Sequence, residues 1–204
     1  MKIFIHLFLS LLFLTLSASA AEKDSTEAAN NNYPLRRVTI EPAIGMETSQ
    51  MFDLVISNLV QWNIKKRLAI VSYTSYSFND AMDRNFNYIM TDYNYSLSQK
   101  FGVGTSLYTK RTSHTFSFMG GIRYDAMKVT LENPEVEKAS ASVSSVSPDI
   151  GLMYNLKIGK KKYFFSYRMY IPLYPYPFKS TDFWAIDGNT ANLSIEFGLG
   201  IRLK

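Results

Sequence analysis

Asn192-Leu193-Ser194-Ile195-Glu196-Phe197-Gly198-Leu199-Gly200-Ile201-Arg202-Leu203 is the stretch on which the fold turns. From Leu193 to Leu203 every second residue is apolar, and those between are polar, charged or glycine. Successive side chains of a strand leave opposite faces, so this segment as a strand has one greasy side and one polar or tiny side. On a helix the same residues would be scattered around the whole circumference. The stretch reads as a strand.

The pattern recurs upstream. Val38, Ile40, Pro42 and Ile44 alternate with Arg37, Thr39, Glu41 and Ala43, and Leu54, Ile56, Val60 and Trp62 with Asp53, Ser57 and Gln61. Tyr93, Tyr95 and Leu97 oppose Asp92, Asn94 and Ser96; Phe116, Phe118, Ile122 and Tyr124 oppose Ser117, Arg123 and Asp125. Residues 150–158 and 163–173 behave alike, whereas 67–78 and 101–109 alternate less cleanly. That makes nine candidate strands, with no helix-period stripe and no long apolar run. Several reach ten residues or more, which is long for a soluble strand and about what a tilted membrane strand needs.

Composition narrows the class. The 204 residues allow one domain or two very small ones, and the absence of cysteine excludes a disulfide scaffold, a thiol catalyst and a thiolate metal site. Fourteen Tyr and fourteen Phe exclude a chain that never buries anything. Residues 1–20 read as a cleaved secretory signal: basic Met1-Lys2, apolar Ile3 to Leu16, then the small-residue site Ala18-Ser19-Ala20. Residues 21–35 read as a flexible polar tail, and residues 36–204 as the barrel described next. The net charge of +5 carries no nucleic-acid prediction, because Lys65-Lys66-Arg67 and Lys160-Lys161-Lys162 sit in turns between apolar segments.

Alternation alone does not say whether the greasy face meets lipid or a core, and a soluble exported β-protein is the architectural rival. Glycine decides it. Gly102, Gly104, Gly121, Gly151, Gly198 and Gly200 all fall on the polar side. A solvated face has no use for small residues, whereas the inside of a narrow barrel must fit a confined space. Tyr and Phe abound on the greasy side, as interfacial girdles require. Asn63 to Lys66, Gln99-Lys100 and Gly159 to Lys161 read as tight turns; 79–85, 132–147 and 175–190 read as longer loops. In hydrocarbon no strand edge can stay open, so the sheet must close. The expectation is all-β: a closed antiparallel transmembrane β-barrel. A single-chain barrel has an even strand number. Joining the segments around Lys110 to His114 gives eight strands, the preferred count, and a strand hidden near Met127 to Ser147 gives ten.

Together the signal, the alternating strands, the tight basic turns and the segment from Asn192 to Lys204 resemble the small outer-membrane β-barrel proteins of Gram-negative bacteria. The resemblance covers residues 36–204 and implies outer-membrane location, contact with lipid and lipopolysaccharide, and insertion by the barrel-insertion machinery. Members of that family end their last strand on an aromatic residue; here the last aromatic is Phe197 and the chain closes Leu203-Lys204, a departure from the pattern.

Turning the polar faces inward collects Glu41, Asp53, Asp92, Asp125 and Glu196 with Arg37, Arg123, Lys157, Arg168 and Arg202. Five charges of each sign can satisfy one another in a costly interior, which predicts a lumen filled by ion pairs and little or no conductance. The functional expectation is a non-enzymatic envelope protein with a structural or loop-binding role. A narrow porin or small-solute transporter is the alternative, and a lipid-modifying enzyme comes third. For the enzyme, His114 is the sole histidine after the signal, and Ser113 and Ser117 lie on the opposite face. No catalytic, metal or cofactor set emerges. Phe183, Trp184 and Asp187 make the most distinctive loop, a candidate recognition patch for an extracellular ligand.

Overall fold

The computed structural model describes residues 38–48, 52–64, 67–78, 89–109, 111–131, 139–159, 162–173 and 193–203. The expected signal and tail, Arg37, and the loop residues Phe183, Trp184 and Asp187 lie outside them. Eight strands follow in chain order: β1 (Val38–Thr48), β2 (Phe52–Asn63), β3 (Leu68–Phe78), β4 (Ile89–Tyr108), β5 (Thr112–Leu131), β6 (Ala139–Ile158), β7 (Tyr163–Pro172) and β8 (Ser194–Leu203). Each pairs antiparallel with its chain neighbours, and β1 pairs β8, closing the barrel. No helix occurs among the described residues.

Eight is reached by a different merger from the one expected. Gln99-Lys100 is not a turn but the middle of β4, paired with Thr74-Tyr73 on β3 and with Ile122-Gly121 on β5. β4 ends instead at Tyr108 and β5 begins at Thr112: Thr109 donates its N–H to the Thr112 carbonyl at 2.9 Å, and its hydroxyl bonds the Thr112 hydroxyl at 2.7 Å. His114 therefore belongs to β5. The expected 132–147 loop is also shorter, since β6 begins at Ala139.

The strands lie steeply across the barrel. A line drawn square to them from Asn63, the last residue of β2, passes through Ala69, Gly104, Ser117, Met153, Tyr170 and Ser194. It arrives on β1 at Glu47, near the opposite rim. This stagger corresponds to the tilt of about 35–45° that barrel closure imposes.

Side chains alternate as the sequence predicts, and the apolar set faces out. Ile44, Ile56, Val103, Phe118, Ile122 and Leu199 are exposed, whereas Glu41, Ser57, Ser117, Asn155, Ser166 and Glu196 are buried. The inward glycines make room. A Cβ on Gly151 would collide with the Tyr170 phenol and the Ile171 carbonyl, and one on Gly200 with the Phe164 ring. Two aromatic belts bound the outer face. Near the short turns, Phe116–Tyr154 (5.0 Å between centroids), Tyr154–Tyr167 (6.4 Å) and Tyr167–Phe197 (5.3 Å) run on into Phe165. Toward the other end, Tyr76 meets Phe78 (5.5 Å) and Tyr95 (6.2 Å), and Tyr95 meets Tyr124 (6.2 Å). On β5 the belts are marked by Phe116 and Tyr124. At ~3.4 Å per residue and ~40° of tilt, they stand about 20 Å apart across the layer. That approaches the apolar band of about 25 Å that girdles frame in membrane barrels.

Beyond the second belt, β4, β5 and β6 continue as a three-stranded sheet. β3 leaves β4 at the pair Phe78↔Tyr95, and β7 leaves β6 at Gly151↔Pro172, while β4–β5 and β5–β6 pairing runs on to Leu131.

Candidate functional site

The lumen is the candidate site, and its charges are stacked in layers. Next to the short turns, Lys157 on β6 reaches Glu41 on β1 at 2.6 Å and donates to the Thr39 hydroxyl at 2.8 Å. Asn155 donates to the other Glu41 oxygen at 2.9 Å. One layer further, Arg168 Nη1 on β7 meets Glu196 on β8 at 3.1 Å and the Ser57 hydroxyl on β2 at 3.1 Å. Glu196 also accepts from the hydroxyls of Ser57 and Tyr73. Proline shapes this layer. Pro42 has no N–H, β1–β8 pairing is interrupted at Glu41 and Pro42, and Arg168 Nη2 donates to the Glu41 carbonyl at 2.8 Å.

Above it, Lys100 on β4 crosses toward Asp149 on β6 at 2.5 Å. Its ammonium lies 5.1 Å from the Tyr73 ring centroid and 4.3 Å from that of Tyr170, a cation held between two π faces. Asp149 accepts from Tyr170 and, at 3.0 Å, from Ser98. Leu59, Val71, Met119 and Met153 pack with the two tyrosines. Near the far end Arg123 bonds Glu47 and, through Nε at 2.7 Å, Asp125. The outermost layer is open to solvent: Lys128 reaches Asp92 at 2.9 Å, and Thr130 donates to Asp92 at 3.0 Å. That carboxylate, by hydrogen bond first and Coulomb attraction second, holds the Lys128 ammonium above the ordinary lysine range.

The structure thus brings together Glu41 with Lys157, Arg168 with Glu196, and Arg123 with Asp125. Asp53 is buried within the lumen. Asp92 stands at the rim rather than in the lumen, because β4 climbs past the second aromatic belt before reaching it. Arg202 lies at the short-turn end, where it donates to the Gly159 carbonyl at 2.7 Å and stacks on Phe164 at 4.3 Å. Sequence reasoning missed Lys100 as a lumen residue, having placed it in a turn. It also left out Glu47 and Asp149, although Asp149 lies on the recognised polar side of its strand.

His114 sits on the outer face beside the first belt, between the Thr112 hydroxyl at 3.0 Å and the Tyr154 hydroxyl at 2.8 Å. Ser113 and Ser117 are buried on the inner face. No group of three metal-ligating side chains occurs among the described residues.

No protein-family model and no curated protein sequence matches the chain. Solved structures do. A major outer-membrane protein from Thermus thermophilus superposes with a TM-score of 0.55 at 6% identity, covering 80% of this chain and 98% of that one. The fold is that of the small outer-membrane barrels. The Ail attachment-invasion protein of Yersinia pestis (9% identity, 80% and 96% coverage) and Neisserial surface protein A (10%, 81% and 96%) give TM-scores of 0.48 and 0.46. The Thermus superposition and the closed sheet itself carry the fold.

Proposed function

We propose that this protein is exported by its N-terminal signal and built into the outer membrane of a Gram-negative cell as a closed, non-enzymatic barrel. It acts there through what it presents at the outer rim. The single observation supporting this is the stack of buried ion pairs, Lys157–Glu41, Arg168–Glu196, Lys100–Asp149 and Arg123–Glu47, which fills the lumen from the short-turn end upward. Moving a solute through would separate paired charges in a confined interior, and each broken buried pair costs about 3–5 kcal/mol. Mixed signs also give an ion no preferred path. The outer face suits lipid and lipopolysaccharide. The loops, Phe183, Trp184 and Asp187 among them, and the β4–β5–β6 extension are then the surfaces offered to an extracellular ligand, with barrel-insertion machinery required for assembly.

Purified protein in planar bilayers tests the reading. Insertion is scored by gel migration that changes on boiling, and the expected current is the bare bilayer's. Stable single-channel steps from inserted protein would replace the filled barrel by the narrow porin.

A further inference from the structure

The outer face is not uniformly greasy. On β1, β5, β6, β7 and β8, the described outward side chains between the two belts are apolar or glycine, as with Ile44, Phe118, Leu152, Met169 and Leu199. On β2, β3 and β4 they include Asn58, Ser72, Thr74 and Gln99, which form one patch. Asn58 pairs in register with Thr74, and Thr74 with Gln99. Thr74 donates to the Gln99 carboxamide oxygen at 2.5 Å, and that carboxamide donates to Ser72 at 3.2 Å. Asn58 is exposed, and its carboxamide has no hydrogen-bond partner among the described residues. It lies four residues along β2 from Trp62 at the short-turn end and two from Ile56, well inside the apolar band.

A carboxamide facing acyl chains loses its water and gains nothing in return, at a cost of several kcal/mol per unpaired group. A partner within the membrane removes that cost. We propose that the β2 side of this patch is the interface of a homodimer, with Asn58 of one copy against Asn58 of a second. This rests on the outer-membrane reading above. Two features select a second copy over another partner. Copies inserted in the same orientation are related by a two-fold axis along the membrane normal, so each residue near the axis meets its own counterpart at the same depth. A carboxamide carries both an amide donor and a carbonyl acceptor, so Asn58 on that axis can pair with Asn58. A charged patch would repel itself there.

The chain has no cysteine, so a single introduced thiol reports one contact. Asn58→Cys in lipid vesicles is expected to oxidise to a disulfide-linked dimer. Met169→Cys, at similar depth on β7 across the barrel, is expected to stay monomeric. In wild-type background, Asn58→Leu should raise the dimer dissociation constant, read by energy transfer between labelled copies in vesicles, by about three- to twentyfold. Insertion is scored separately by heat-modifiable migration. An inserted wild-type barrel that shows no energy transfer, or equal cross-linking at positions 58 and 169, overturns the dimer and leaves the outer-membrane reading standing. A chain that never inserts overturns both.

Discussion

Arg168 gathers partners from three other strands: Glu196, the Ser57 hydroxyl and the Glu41 carbonyl. Truncating one member of such a buried pair strands a charge, whereas removing both replaces the pair by packing. Arg168→Leu or Glu196→Leu alone is therefore expected to lower stability by about 3–5 kcal/mol, and the double variant to recover most of that loss. The measurement is a double-mutant cycle of urea unfolding in vesicles; strictly additive losses would show that the two side chains are not coupled. Gly151 makes the complementary point about space. Gly151→Ala drives a methyl into Tyr170 and the Ile171 carbonyl and is expected to cost at least the ~1–3 kcal/mol of an overpacked core. Chemical unfolding against the wild type reads it directly.

At the scale of strands, the outer face grades from hydrocarbon to interface. Phe118 projects from β5 between the belts, and Val146 on β6 pairs with Tyr124 at the second belt. Phe118→Arg should cost about 2–4 kcal/mol of folding free energy in bilayers and Val146→Arg only about 0–1, a difference that vesicle refolding titrations resolve. Backbone protection should grade likewise. In β5, amides of 126–131 lie in the three-stranded extension and should exchange faster than those of 114–122, which sit in the closed wall.

The same strands explain what the sequence could and could not disclose. Alternation is a local property of the backbone, so the faces of β1, β2, β7 and β8 were legible from residue types alone. At Gln99-Lys100 two consecutive polar residues resemble a turn. They are instead a strand with one polar side chain on each face: Gln99 joins the outer patch, and Lys100 spans the lumen to Asp149. Nor could pairing be read. Glu41 and Lys157 meet because β1 and β6 face each other across a staggered barrel, and that stagger is set by register around the whole ring rather than by either segment. The sign of the lumen residues was therefore visible, and their partners were not.

For the molecule as a whole, closure removes every free edge from the wall between the belts, and the apolar band covers its outside. Such a body should resist SDS at room temperature. Unboiled samples are expected to migrate faster than boiled ones, and identical mobility would contradict the closed barrel.

The ladder from Val38↔Leu203 to Glu47↔Ser194 joins the first strand to the last. Until those partners meet, the ribbon keeps two raw borders, each a row of unclaimed amides and carbonyls that would rather stay in water. A ribbon entering hydrocarbon before that final stitch would carry both borders with it, so closure and entry are expected to be coupled.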